Sequence, residues 1–241
     1  AHTEVSRVRA LVSVANRQGV AALSRDLLAL GVEVYATDGT REHLATEGVD
    51  VLPVSALADA PPLVGGLVKT FHPAVYAGIL ARRDRPEQLT ELAEQAIGLI
   101  DLVVVNVMSF APQVGERRVP LDEALEMIDV GGAALLAAAA RNHAGVAAVP
   151  NPAAYDQVVA EIRERGTVSA ELRQRLAAEA FAILAAYHAQ VAAYLNQVTG
   201  ATFPPHISIV LEKVSDLAHG ENPPPRAAGY RATTHRDGPL A

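Results

Sequence analysis

The chain has 241 residues, half of them hydrophobic, enough to bury the core of one large domain or two small ones. Zero cysteines exclude disulfides, thiolate metal sites and a cysteine nucleophile, and a formal net charge of -7 gives no general attraction to nucleic acid or anionic membranes. There is no uninterrupted apolar run of about 18 residues and no charged-then-apolar leader, so the expectation is a cytoplasmic protein with no membrane contact and a small-molecule ligand.

In chain order, residues 8–14 form a β-branched run predicted as a strand, 20–30 a helix and 32–36 a second strand, with glycine at each change. Further strands are predicted at 49–54, 100–107 and 146–149. The unbroken apolar run from Leu102 to Val105 suits a central parallel strand covered on both faces. Residues 121–128 and 132–143 read as helices, the second so alanine-rich that it must pack closely, with the sheet as its expected partner. Residues 152–165 open with a proline suited to a first helical turn, and 169–196 form a long helix. In it, Leu172, Leu176, Ala180, Ile183, Tyr187, Val191 and Tyr194 make one apolar stripe, read as core-facing. After Gly200 the chain is rich in proline and glycine, including Pro223-Pro224-Pro225, and reads as an extended arm. The expected class is α/β: a mostly parallel central sheet flanked by helices in three Rossmann-like layers, with a helical C-terminal half. The expected organisation is one domain over 1–200 and an arm over 201–241.

In an open parallel sheet, ligands bind beyond the carboxyl ends of the strands. After the first strand, Ser13, Arg17 and the free N–H groups of the following helix can hold a phosphate, although a plain strand-to-helix turn explains the same residues equally well. After the second, Thr37-Asp38-Gly39-Thr40 stands at a helix start, where a cap from Asp38 or Thr40 is the stronger reading of those residues alone. The segment from Gly65 to Pro73 holds one of only two lysines, Lys69, beside Thr70; it is too glycine-rich for helix or strand, and a solvated lysine is the ordinary reading. The last group is Asn106 at the end of the strongest strand, Asp129 ahead of Gly131-Gly132, and Arg141-Asn142-His143 after the alanine-rich helix. Taken separately these are a strand-end polar residue, a helix cap and a cationic helix C-terminus. The histidines do not fall at ligand spacing, so no metal is expected, and no cofactor is called for.

Together the segments resemble a known family. Val68-Lys69-Thr70-Phe71-His72-Pro73, followed by residues 78–84, resembles the VKTLHP…GGILARRD signature of IMP cyclohydrolases. Residues 100–110 resemble the family's IDLVVVNLYPF, 128–132 its IDIGG, 138–143 its AAAKNH and 220–223 its GENP. The resemblance implies a methylglyoxal-synthase-like fold, a homodimer, and closure of the pyrimidine ring of 5-formamidoimidazole-4-carboxamide ribonucleotide to inosine monophosphate (IMP). It also implies the usual fusion to an AICAR transformylase domain, which a stand-alone chain stopping soon after GENP would lack. By position it implies Ser13, Arg17, Thr37, Asp38, Gly39, Thr40, Lys69 and Thr70 around phosphate and ribose. Asn106, Met108, Asp129, Gly131, Gly132, Arg141, Asn142 and His143 would surround the base, with Lys69, Asn106, Asp129, Arg141 and His143 as the catalytic set.

Four positions depart from the pattern: Met108 stands where the family has tyrosine, Arg141 lysine, Leu67 arginine and Asp38 glycine. An arginine stays protonated and cannot exchange protons, and a carboxylate at 38 repels a phosphate unless a cation lies between them. Three readings follow: ring closure, or its reversal, on a modified azole ribonucleotide of a specialised nucleoside pathway; a slow IMP cyclohydrolase; or a non-catalytic nucleotide-binding, regulatory module. All require Lys69, Asp129 and Arg141 to converge on one pocket.

Overall fold

A computed structural model describes residues 8–58, 64–110, 119–200, 202–217 and 227–232. In chain order the elements are β1 (Arg9–Val14), α1 (Val20–Ala29), β2 (Glu33–Ala36), α2 (Asp38–Thr46), β3 (Leu52–Pro53), α3 (Pro73–Leu80), α4 (Pro86–Glu94) and β4 (Leu102–Asn106). They continue with α5 (Leu121–Glu126), α6 (Val130–Arg141), β5 (Ala147–Val149), α7 (Tyr155–Arg165), α8 (Ala170–Val198), β6 (Leu211–Leu217) and β7 (Ala227–Ala232). Contacts group the chain into two units, Ala1–Met108 with Asp129–Leu184 and Ser109–Ile128 with Ala185–Ala241.

The first unit is built on a sheet of order β3-β2-β1-β4-β5, parallel throughout. Side chains alternate across it. Val12, Val34, Val104 and Val149 meet Val20, Leu23 and Leu27 of α1 and Val158 and Ile162 of α7 on one face. Leu11, Val103, Val105 and Ala148 meet Val75 and Ile79 of α3 and Leu135, Leu136 and Ala139 of α6 on the other. Helices therefore cover both faces, which is why β4 carries no polar residue before Asn106. This is the three-layer α/β class that the sequence predicts.

Three local outcomes differ from expectation. The strand expected at 49–54 shrinks to β3, because Pro53 offers no N–H to a ladder and a 3₁₀ turn, Val54–Leu57, follows at once. Helices α3 and α4 were not anticipated, although each has a proline in its first turn, where the missing N–H costs nothing. The expected arm contains, in its described part, the antiparallel pair β6–β7; Pro223-Pro224-Pro225 and residues 220–223 lie outside the described residues.

By length and composition α8 is apolar enough to cross a membrane. Leu172, Leu176, Ala180 and Leu184 are buried at helical spacing among sheet-covering residues, so its first half packs as a core helix does, while a third of its most apolar window is buried. In the second unit, Gln190 Oε1 accepts from the Phe110 N–H and the Ser109 hydroxyl, each at 3.0 Å, and the Phe110 ring sits edge-on to Tyr194.

Candidate active site

Strand order reverses between β1 and β4, so the loops leaving Val14 and Asn106 open a crevice at the switch point. Around it three hydroxyls meet. Thr37 Oγ1 donates to Ser13 Oγ at 3.1 Å, and Thr40 Oγ1 accepts from the Val14 N–H at 3.1 Å. Thr37 is the residue that precedes α2, yet its hydroxyl goes to Ser13 and the helix start has no side-chain cap. The cap expected from Asp38 or Thr40 is thus not made: Asp38 is the first helical residue and Thr40 is buried against β1. Gly39 borders open space. An uncapped helix start beside hydroxyls is a ready place for an anion, with exposed Arg17 on the neighbouring loop.

Asn106, expected to be catalytic, has its carboxamide occupied. Its oxygen accepts from the N–H groups of Ala15 and Asn16, each at 2.8 Å, and its nitrogen donates to the Asn16 carbonyl at 2.9 Å. It fixes the loop that leads to α1 rather than facing a reactant. That loop ends in Gly19 at φ 71°, a left-handed turn that glycine adopts without strain.

The segment before α3 brings the second half of the site. Lys69 Nζ lies 3.5 Å from Asp38 Oδ2, so a cation does stand beside the carboxylate that replaces the family's glycine. Thr70 is buried, and its hydroxyl lies 3.2 Å from where a β-carbon on Gly131 would fall, so the start of α6 packs closely on this segment. Asp129 caps α6, accepting from the Gly132 N–H at 2.7 Å, and a β-carbon on Gly132 would run into that carboxylate. Met108, half-exposed, follows β4 by two residues. Sequence reasoning missed His72, whose Nδ1 accepts from the Ala74 N–H at 3.1 Å and caps α3; its place just before Pro73 was the available signal. It also missed Tyr76, which stacks on Phe71 and whose enclosed hydroxyl burial pushes up to about 12.

The remaining group lies elsewhere. Twelve helical residues at about 1.5 Å each separate the two ends of α6 by about 18 Å, with Asp129 at one end and Arg141 at the other. Asn142, expected to bind substrate, is buried and donates to the carbonyls of Ile79 at 2.7 Å and Ala81 at 3.1 Å, joining the ends of α3 and α6. The His143 carbonyl accepts from Arg173 Nε at 2.8 Å, and its ring nitrogen Nδ1 stands 3.3 Å from the Ala140 carbonyl. Nearby, Arg83 of the ARRD segment donates to the Ala81 and Ile100 carbonyls, each at 2.7 Å. Within one chain, the Lys69-Thr70 segment therefore packs on the start of α6, which Asp129 caps, while Arg141 and His143 stay at the opposite, amino edge of the sheet. No group of metal-ligating side chains occurs among the described residues.

An open parallel sheet with these strand-end loops is an MGS-like α/β domain, and residues 19–134 match the MGS-like domain family. Residues 139–240 match the family described as AICARFT/IMPCHase bienzyme. The chain is 42% identical over 222 residues to the bifunctional purine biosynthesis protein PurH of Listeria innocua, covering 92% of this chain and 44% of that protein. It is 42% identical over 229 residues to PurH of Leuconostoc citreum, covering 95% and 44%. It thus spans less than half the length of the curated relatives it matches. Among solved structures, the crystal structure of ForH superposes with a TM-score of 0.68 at 38% identity, covering 78% of this chain and 97% of that one. The chain belongs to the AICARFT/IMPCHase family and carries its MGS-like domain.

Proposed function

We propose that this chain is a cytoplasmic, homodimeric, IMP cyclohydrolase-like enzyme that closes, or reopens, the pyrimidine ring of a formamido-azole-carboxamide ribonucleotide. Its family is enzymatic, and its curated relatives are purine biosynthesis proteins. The observation that carries the reading is the pair of contacts made by the Lys69-Thr70 segment, to Asp38 at the start of α2 and to Gly131 at the start of α6. It brings an uncapped helix start, a cation and a carboxylate to one edge of the sheet.

In this reading the start of α2, with Ser13, Thr37, Gly39, Thr40 and Arg17, receives the phosphate. For closure, the carboxamide nitrogen attacks the formyl carbon and gives up a proton, for which Asp129 is the acceptor. The formyl oxygen gathers negative charge, and the adduct then loses water and a second nitrogen-bound proton, while Lys69, beside Asp38 at the start of α2, serves the phosphate. Arg141, Asn142 and His143 are left out of the chemistry: the expected convergence of Arg141 with Lys69 and Asp129 is not met within one chain, and the reading rests on the Lys69-Thr70 segment and Asp129 alone. Met108 in place of the family's tyrosine removes a hydroxyl from the base end, which supports an azole other than the ordinary imidazole as substrate.

Purified protein mixed with the formamido ribonucleotide, and with a panel of azole carboxamide analogues, tests this by the ultraviolet change of ring closure. Turnover of one of them is the expected result. No turnover at high enzyme concentration overturns the enzymatic reading, and tight calorimetric binding of IMP in that case identifies a nucleotide-binding module instead.

A further inference from the structure

Asp38 is the departure from the family pattern that falls closest to the anion-binding elements. Its carboxylate is about half exposed at 57%, occupies the first position of α2, and stands 3.5 Å from Lys69, whose side chain is 31% exposed. Two forces favour it there: the positive end of the helix and the ammonium. Both are also what a ligand's phosphate would use. Lys69 is the one lysine of this unit, the chain's only other lysine being Lys213 on β6. Gly39, the next residue, has nothing within 4 Å of where a β-carbon would fall, so the turn is open on that side.

We infer that Asp38 is a specificity-determining residue that competes with the ligand's anionic group for Lys69 and so limits how much negative charge the site accepts. The inference rests on the phosphate-binding role assigned to the start of α2. A bound phosphate must share the lysine with Asp38 or displace it, and it meets the carboxylate's repulsion at close range in either case. A neutral riboside meets no such opposition. The carboxylate therefore narrows the difference in affinity between a nucleotide and its nucleoside, and it eases release of a phosphorylated product.

Calorimetry with IMP and with inosine, on the wild-type protein and on the Asp38→Asn and Asp38→Gly variants at low and moderate salt, tests this. Both variants should bind IMP about two- to fivefold more tightly, the range of an exposed ion pair, while inosine affinity stays unchanged. Their affinity for IMP should also fall more steeply with salt, since an unopposed lysine then faces the phosphate. Weaker IMP binding in both variants, or an equal gain for inosine, overturns the inference. A Lys69→Met variant separates the two levels. If it loses IMP while the Asp38 variants match wild type, only the role of Asp38 fails; if wild-type protein binds neither compound, the phosphate site itself fails and the inference with it.

Discussion

The carboxamide of Asn106 grips Asn16 from both sides, accepting from its N–H at 2.8 Å and donating to its carbonyl at 2.9 Å. A third bond, from the Ala15 N–H, completes the clamp, so one buried side chain at the end of β4 sets the shape of the loop leaving β1. Asn106→Ala should cost about 2–3 kcal/mol of stability in urea denaturation, because two backbone N–H groups and a carbonyl lose their partner together. Ligand affinity should fall as well, since Arg17 and the start of α1 are no longer held. A loss below about 0.5 kcal/mol, the size of an ordinary surface change, would show that the loop has other anchors.

Asp129 has two duties that substitution can separate. As a cap it needs only an oxygen that accepts from Gly132, which asparagine also has. As a proton acceptor it needs a carboxylate. Asp129→Asn should therefore keep stability within about 0.5 kcal/mol while turnover drops by about 10²–10⁴-fold, whereas Asp129→Ala should lose the activity and about 1 kcal/mol of stability as well. Full activity in the asparagine variant would reduce Asp129 to a cap.

The layers of this fold were legible because apolar runs and glycine breaks are local signals. β1, β2, β4 and β5 fall within a residue or two of their predicted bounds, and α8 lies where its apolar stripe put it. The helix after Lys69 is not legible, because the glycines at 65 and 66 favour loop over the whole segment and outweigh the single start signal of Pro73. Strand ends and family motifs single out Ser13, Thr37, Thr40, Lys69, Thr70 and Asp129 as candidates, and the structure places them on loops and helix starts along one edge of the sheet. Arg141 and His143 were grouped with them because a motif is written in sequence order and carries no direction in space. The length of α6 alone parts them from Asp129.

Arg141 follows from that separation. It is exposed in the last turn of α6, where its charge complements the helix C-terminus. Arg141→Lys should leave turnover within about twofold, under 0.5 kcal/mol, and Arg141→Ala should cost no more than about 0.3–1 kcal/mol of stability, the usual worth of a cation at that place. Steady-state kinetics of both variants provide the check. A hundredfold loss in Arg141→Lys would mean that this guanidinium acts on a reacting centre that its own chain does not bring to it.

Packing behind the site sets a fourth expectation. A β-carbon on Gly78 would lie 2.5 Å from the Gly98 carbonyl, a backbone atom that cannot rotate away. Gly78→Ala should push α3 off the sheet and cost about 1–3 kcal/mol, lowering the melting temperature. Because α3 carries the Lys69–His72 segment at its head, ligand affinity should fall with it. A variant as stable as wild type would show that α3 has slack there.

Alkaline stability should be governed by two enclosed phenols. Burial pushes both Tyr76 and Tyr155 from 10.0 up to about 12. Below pH 10 each is neutral whether the chain is folded or not, so neither adds any pH dependence. Between pH 10 and 12 the unfolded chain releases a proton from each while the folded chain holds it, so unfolding becomes steadily easier as the pH rises. Above about 12 both states are ionised and the slope vanishes. Urea midpoints measured across that window should fall for wild type, fall less for Tyr155→Phe or Tyr76→Phe alone, and least for the double variant. At neutral pH, Tyr76→Phe should be no less stable than wild type, because the hydroxyl it removes is buried with no hydrogen-bond partner among the described residues. Identical alkaline slopes in all four proteins would show that these phenols open to water before the chain unfolds.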